Sequence, residues 1–287
     1  MTDVLILGAG PAGLTAAIYA RRAGLTATVF DKGFAGGQTI ITPEIENYPA
    51  IASISGPEFS QRLYEQAVSL GAAFKNEEVR RAQLSGTVKI LSTEQGPYEG
   101  RTVILAGGVK RRELGCPGEA ELAGKGVSYC ATCDGMLYRG RAVAVWGLSP
   151  EAPQEANFLH GIGCSVTYIA GRRPDTLEAG VAFRAGRVEA VEGGAAVEAV
   201  RVGGAALPVQ GVFILRAATP PDALVPGLAL ENGFVKTDAA MRTNIPGLFA
   251  AGDMTGKPLQ VANAVGDGLV AALAAVDYLD GVSPMTD

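Results

Sequence analysis

The sequence predicts an α/β protein of two doubly wound domains, the second inserted into the first, on three observations. A short apolar run, Val4 to Leu7, stops at Gly8, and an alanine-rich stretch with helical periodicity, Leu14 to Ala23, follows before Gly24 closes it. A second β run, Ala27 to Phe30, ends at Asp31 and completes a parallel β-α-β unit. The pattern then recurs, with a strand at Arg141 to Trp146, a helix at Gln154 to His160 and a strand at Ser165 to Ala170. The tail carries one more strand, Gly247 to Ala251, and a helix, Val261 to Leu279, which can return to the first domain. At 287 residues the chain has room for about two domains of ordinary size. The expected division is 1–112 with 236–287 for the first domain and 113–235 for the insertion, with crossings near Arg111 and Lys236.

Between these units the chain alternates loops and short elements. The stretch from Phe34 to Pro57 is rich in Gly, Pro, Thr and Asn and reads as an ordered loop or linker, and a helical pattern then runs from Glu58 to Leu70. A strand at Thr102 to Ala106 leads into Gly107 and Gly108, and Arg111 to Gly126 is loop-like. The segment Val181 to Pro208 alternates Val, Ala, Gly and Glu as paired short strands do, and Val212 to Leu215 is one further strand.

Composition narrows the function classes. Hydrophobic residues are 48% and charged residues 18%, with 39 glycines, a balance that suits a glycine-punctuated α/β protein and not a disordered or fibrous one. The net charge is -5 and the lysines and arginines are scattered, which argues against a nucleic-acid partner. No apolar stretch approaches the length of a membrane span, and Met1 to Gly8 runs into a strand without the basic region of a secretory signal. The expectation is a cytoplasmic protein with no membrane partner.

Gly8, Gly10 and Gly13, with Pro11 and Ala12 between them, form G-x-G-x-x-G at the first strand-to-helix junction. That spacing allows a tight turn, close approach of backbone to a pyrophosphate and packing of helix on sheet, with the helix N-terminus facing the phosphates. Asp31 ends the second strand, where a ribose hydroxyl can be bound. The domain is therefore Rossmann-like and dinucleotide-binding, but the fingerprint alone does not separate FAD from NAD.

Two further segments bear on that choice. The run from Thr243 through Gly252 and Asp253 resembles the second flavin motif of the FAD-dependent pyridine nucleotide-disulfide oxidoreductases. Gly36-Gly37-Gln38 and Glu46-Asn47-Tyr48-Pro49 resemble the loop beside the isoalloxazine ring in that family. The resemblance implies FAD as cofactor, with Gly37, Gln38 and Asn47 on the ring side. It also implies Asp253 at the ribityl or pyrophosphate region, and a helix opening at Gln260 and Val261 with its positive end toward the flavin.

Four cysteines lie at 116, 130, 133 and 164, too few for a disulfide scaffold, and two of them form one Cys-x-x-Cys. A zinc site would need more ligands, yet there is no second Cys-x-x-Cys and His160 is the only histidine, so no metal is expected. Cys116 and Cys164 read as packing residues, His160 as a helix-end residue, and Trp146 as a core aromatic or a stacking surface for a bound ring. Vicinal thiols can close and open a disulfide when one is a thiolate. The run Ser128-Tyr129-Cys130-Ala131-Thr132-Cys133-Asp134-Gly135 closely resembles the active site of low-molecular-weight thioredoxin reductases. The resemblance implies that Cys133 faces the flavin, Cys130 attacks the disulfide of a thioredoxin-like protein, and Asp134 moves the proton. A homodimer is implied as well.

The second β-α-β unit departs from that family's pyridine-nucleotide site. Gly147-Leu148-Ser149-Pro150-Glu151-Ala152 stands where G-x-G-x-x-[GA] is expected, with a serine for a glycine, a proline that lacks an amide donor and an acid near any phosphate. Gly171-Arg172-Arg173 keeps two arginines that could pair with a ribose phosphate, while Leu215-Arg216-Ala217-Ala218-Thr219-Pro220-Pro221 replaces a later glycine-containing motif. Two electron sources stay open: NADPH at a reduced nucleotide domain, or ferredoxin, another flavoprotein or free reduced flavin. A third reading is an FAD-binding redox sensor without turnover, against which the intact Cys-Ala-Thr-Cys-Asp argues.

Overall fold

The computed structural model describes residues 1–33, 35–109, 114–216 and 224–281. In chain order the elements begin with β1 (Thr2–Leu7), α1 (Pro11–Arg22), β2 (Ala27–Asp31), α2 (Gly56–Ser69) and β3 (Ala73–Asn76). The strands β4 (Arg81–Gln83), β5 (Lys89–Thr93) and β6 (Gly96–Leu105) follow. Next come β7 (Val127–Ser128), α3 (Ala131–Asp134), β8 (Ala142–Leu148), α4 (Ala152–Gly161), β9 (Ser165–Ala170) and β10 (Ala182–Ala185). After β11 (Val188–Gly193), β12 (Val197–Val202), β13 (Ala205–Pro208) and β14 (Gly211–Arg216), the chain ends with β15 (Leu230–Glu231), β16 (Phe234–Val235), β17 (Leu248–Ala250) and α5 (Val261–Leu279).

These elements form two compact units, residues 1–110 with 219–287 and residues 111–218. In the first, the sheet order is β3-β2-β1-β6-β5-β4, with β17 also on β6. The length of β6 explains both neighbours: residues 96–100 pair antiparallel with β5, and Val103 to Leu105 pair parallel with β17. Alternation along β1 sends Val4 and Ile6 to the helix side, where they pack with Ala16, Ala17 and Ala271, and Leu5 and Leu7 to the other face with Leu91, Val103 and Val225.

Two expectations change here, and a further one lies outside the described residues. The first crossing, expected near Arg111, falls outside the described residues, as does the segment 217–221. The second lies before Lys236, because Val225, Leu228 and Val235 are buried in the first unit's core with Leu5 and Leu248. The 19-residue α5 is also long and apolar enough to cross a membrane, by length and composition, at a mean hydropathy of 1.3. Alanines raise that value; Ala264, Ala271, Ala272, Ala274 and Ala275 are buried against α1, β1 and β6.

The second unit has the sheet order β10-β9-β8-β14-β7, all parallel, and a separate antiparallel meander, β11-β12-β13. Val143, Val145 and Phe213 face α3 and α4, while Ala144, Trp146 and Ile214 face the meander's Val188, Val200 and Val202. The paired strands expected at Val181 to Pro208 are present, with β10 joined instead to the parallel sheet.

Candidate active site

In the first unit the strand-turn-helix junction forms a cradle. Gly8 has φ 107°, a conformation that side chains rarely adopt, and its carbonyl lies so close to Gly13 that a Cβ there would overlap it. Gly10 is the N-cap of α1 in extended conformation, followed by Pro11 at N1, and a Cβ on it would meet nothing within 4 Å. Ala12 and Gly13 therefore open a helix whose first-turn amides have no intrahelical acceptor. Asp31 Oδ2 accepts the Ala9 amide at 2.6 Å, which ties the carboxylate at the end of β2 to the glycine turn.

The flanking loops close on the same place. The Gly36 amide donates to Ala9 O at 2.8 Å, and Gly37 comes so near Gly10 that its Cβ would lie 3.3 Å from Gly10 Cα. Gln38 is exposed beside them. Asn47 Nδ2 donates to Gln260 Oε1 at 3.0 Å, joining the Glu46–Pro49 loop to the N-cap of α5. Val261 packs with Ile45, Ile54, Phe59 and Tyr48. Gly252 and Asp253 begin a 3-10 turn after β17, with Gly252 against Ala12 and Ala264. The structure thus brings Gly8, Gly10, Pro11, Ala12, Gly13, Asp31, Gly37, Gln38, Asn47, Gly252, Asp253, Gln260 and Val261 into one unit around two helix N-termini.

Sequence reasoning missed Asp267, on α5. Its Oδ2 accepts the Gly252 amide at 3.2 Å and Asn263 Nδ2 at 3.0 Å, so it fastens the turn to the helix. Burial pushes its carboxyl above the usual range, against those hydrogen bonds. The only signal was a polar pair four residues apart, Asn263 and Asp267, in the otherwise apolar first half of the helix.

In the second unit Cys130 and Cys133 are joined in a disulfide with Cα atoms 5.3 Å apart, and Cys130 is the N-cap of the single-turn α3. Asp134 Oδ2 accepts the Ser128 hydroxyl at 2.6 Å, and that hydroxyl oxygen accepts the Cys130 amide at 3.2 Å. The other carboxyl oxygen, Oδ1, is buried without a hydrogen-bond partner. Burial raises the Asp134 pKa and the Ser128 bond offsets this in part, so the protonated acid persists above the ordinary carboxylate range beside the disulfide. Ser128 and Asp134 were both legible in the quoted motif, but the hydrogen bond between them was not. Cys164 is buried, with its thiol toward Tyr138 O at 3.2 Å, and Cys116 is half-buried, in keeping with packing roles. Among the described residues no cluster of His, Cys, Asp or Glu could hold a metal.

The nucleotide-type junction of this unit has a different build. β8 continues through Gly147 to Leu148, one residue beyond the expected turn, and the Tyr168 hydroxyl fills the space a Cβ on Gly147 would take. At the start of α4 the Ala152 amide is bonded to Ser149 O at 3.2 Å and the Gln154 amide to Glu151 O at 3.1 Å, while Pro150 and Pro153 have no N–H. Arg173 donates to Val181 O at 3.1 Å and Glu178 O at 2.9 Å, holding the loop before β10. Arg172 is exposed, 3.7 Å from Asp175. One of the two expected phosphate arginines is thus engaged by backbone, and the glycine cradle of the first unit has no counterpart here. Trp146 is 5% exposed in the core and lines a cavity of about 360 Å³ with Leu148, Cys116 and Glu189.

Comparison with known proteins matches residues 2–268 to the family model described as pyridine nucleotide-disulphide oxidoreductase. A thioredoxin reductase of Listeria monocytogenes is 36% identical over 97% of this chain and 94% of its own length. The crystal structure of thioredoxin reductase from Streptococcus pyogenes superposes with a TM-score of 0.89 at 35% identity, covering 98% of this chain and 99% of that one. A ferredoxin-flavin thioredoxin reductase from Clostridium acetobutylicum is 35% identical, with a TM-score of 0.59 over 98% of each chain.

Proposed function

The chain belongs to the pyridine nucleotide-disulphide oxidoreductase family, and from that premise we propose that it is an FAD-dependent reductase of a thioredoxin-like protein disulfide. The observation that carries this reading is the Cys130–Cys133 disulfide followed directly by the buried Asp134, whose Oδ2 accepts the Ser128 hydroxyl. The residues of the first unit fit FAD: the open space at Gly10, the α1 N-terminus and Asp31 suit the pyrophosphate and ribose, and Asn47, Gln260 and the α5 N-terminus suit the ring end. When bound, FAD supplies a two-electron carrier that can return the disulfide to a dithiol.

With the pair reduced, the Cys130 thiolate attacks one sulfur of the partner disulfide and expels the other as a thiolate. Cys133 then attacks the Cys130 sulfur, re-forming the internal disulfide and releasing the second partner sulfur. Two electrons pass to the partner, and Asp134 supplies a proton to a leaving thiolate. Family membership makes NADPH the default donor. A second reading, with reduced ferredoxin or another reduced flavin carrier as donor, is favoured by the engaged Arg173 and the bonded amides at the start of α4. A cytoplasmic homodimer completes the proposal.

The test is anaerobic titration of the flavin-loaded protein with NADPH, NADH and reduced ferredoxin, followed by thioredoxin turnover. Flavin bleaching with one donor and loss of turnover in Cys130→Ser and Cys133→Ser are expected. A protein that takes up no flavin, or turnover untouched by either substitution, overturns the reading. Bleaching by micromolar NADPH selects the first donor, and none at millimolar NADPH selects the second.

A further inference from the structure

β7 and the residue that follows it send successive side chains to opposite faces of the second unit's sheet. Ser128 turns to the helix side and meets Asp134, whereas Tyr129 packs with the core of the meander side. There the Arg216 guanidinium, at the end of β14, lies 5.1 Å from the centroid of the Tyr129 ring. Glu119 Oε1 accepts Arg216 Nη1 at 2.6 Å and, at a long 3.4 Å, the Tyr129 hydroxyl. The Arg216 and Glu119 side chains are only 9% and 5% exposed.

Stability alone does not account for this pair. Removing both charges from water costs several kcal/mol for each ion, and replacing a buried pair with apolar residues is often neutral or stabilising. Here Glu119 Oε2 and Arg216 Nε are buried without hydrogen-bond partners, so the desolvation is incompletely offset. What the pair supplies is direction: a planar cation against an aromatic face selects one placement of the Tyr129 ring, and Tyr129 is bonded to Cys130. Register adds to this, since β7 runs parallel to β14 with Val127 opposite Val212 and Ser128 opposite Phe213. Cys130 is therefore clamped from both faces, by Ser128 on one and by Tyr129 on the other.

Resting on the dithiol reading above, we propose that Arg216, Glu119 and Tyr129 are positioning residues that hold Cys130 in bridging range of Cys133 and so set the balance between disulfide and dithiol. The Cα separation of 5.3 Å lies in the range a disulfide spans. Ring closure depends on how often one sulfur is held near the other, as for any intramolecular reaction. With one clamp released, Cys130 samples more positions, closure becomes less favourable and the pair shifts toward the dithiol. In the exchange two glutathione thiols are oxidised to one glutathione disulfide while the internal disulfide takes up two electrons and two protons.

The test equilibrates the flavin-loaded protein anaerobically with set ratios of reduced and oxidised glutathione, then counts alkylated thiols at 130 and 133 by mass spectrometry. Tyr129→Leu removes the ring but leaves the ion pair; Glu119→Gln with Arg216→Met removes the charges; Tyr129→Phe keeps the ring under the guanidinium. The first two are expected to shift the equilibrium roughly tenfold toward the dithiol, which for a two-electron couple is about 30 mV. Tyr129→Phe is expected to stay near the parent. A parent-like equilibrium in folded, flavin-loaded Tyr129→Leu overturns the proposal, and that variant decides alone if the charge-free variant fails to fold. Because the readout needs no turnover, failure of the donor titration would refute the catalytic reading and leave this measurement standing.

Discussion

Two alanine substitutions in the first glycine turn separate cofactor binding from folding. At Gly10 an added Cβ would meet no atom within 4 Å, and the residue has φ -75° and ψ -178°, which alanine adopts without strain. Gly10→Ala should therefore cost the free protein no more than about 0.5–1 kcal/mol, the usual penalty of alanine at a helix N-cap. The methyl group does, however, occupy the space through which a pyrophosphate reaches the α1 amides. Losing one or two charge-assisted hydrogen bonds at ~1.5–3 kcal/mol each weakens FAD binding by roughly 10- to 10⁴-fold. At Gly13 the Cβ would overlap Gly8 O and lie 3.2 Å from Ala106 Cβ, so α1 must move off the strand end. Overpacking of this kind costs about 1–3 kcal/mol, and Gly13→Ala should lose both stability and FAD. Urea unfolding of the flavin-free proteins gives the first quantity, and quenching of FAD fluorescence during titration gives the second. If Gly10→Ala bound FAD like the parent, the cradle assigned at residues 8–13 would be wrong.

Three further outcomes follow from the same structure. The pKa of Asp134 is raised in the folded protein, so the proton donor, and the stability linked to it, are present at low pH and lost as pH rises through that raised value. Asp134→Asn should lower kcat about 10²–10⁴-fold and abolish the alkaline limb of the pH–rate profile; Ser128→Ala, which removes the bond holding the pKa down, should move that limb to higher pH, and an unmoved limb in both variants refutes the assignment. Arg173→Met frees Val181 O and Glu178 O and should destabilise the second unit by about 1–3 kcal/mol in urea while leaving the response of the flavin to NADPH unchanged; a large rise in the NADPH concentration needed would instead make Arg173 a phosphate ligand. Lys89, 2% exposed, donates to Leu84 O, Gly86 O and Pro246 O at 2.7–2.8 Å, so Lys89→Met should cost about 2–4 kcal/mol, and a melting temperature within a degree of the parent would show that water replaces the ammonium there.

What the sequence determined by itself was set by short-range physics. A strand stopping at a glycine turn and an alanine-rich helix behind it are written within some twenty residues, and so are two thiols spaced to close one ring; hence both β-α-β units and the redox turn were legible. The departures at Ser149 and Pro150 were legible for the same reason, since each removes a backbone property at its own position. Element ends and the second crossing were not, because only the core decides that Val225, Leu228 and Val235 pack with Leu5. Tertiary structure alone decided the partners of polar side chains. Arg173 looked free for a phosphate until the loop at Leu177 to Val181 offered it carbonyls, and Asp267 became a brace only when α5 lay beside Gly252. Arg216 and Glu119, 97 residues apart, met over Tyr129 because parallel strands place distant segments side by side. Hydrogen bonds and ion pairs are chosen by distance in space, which the packing of the elements fixes and the spacing along the chain does not.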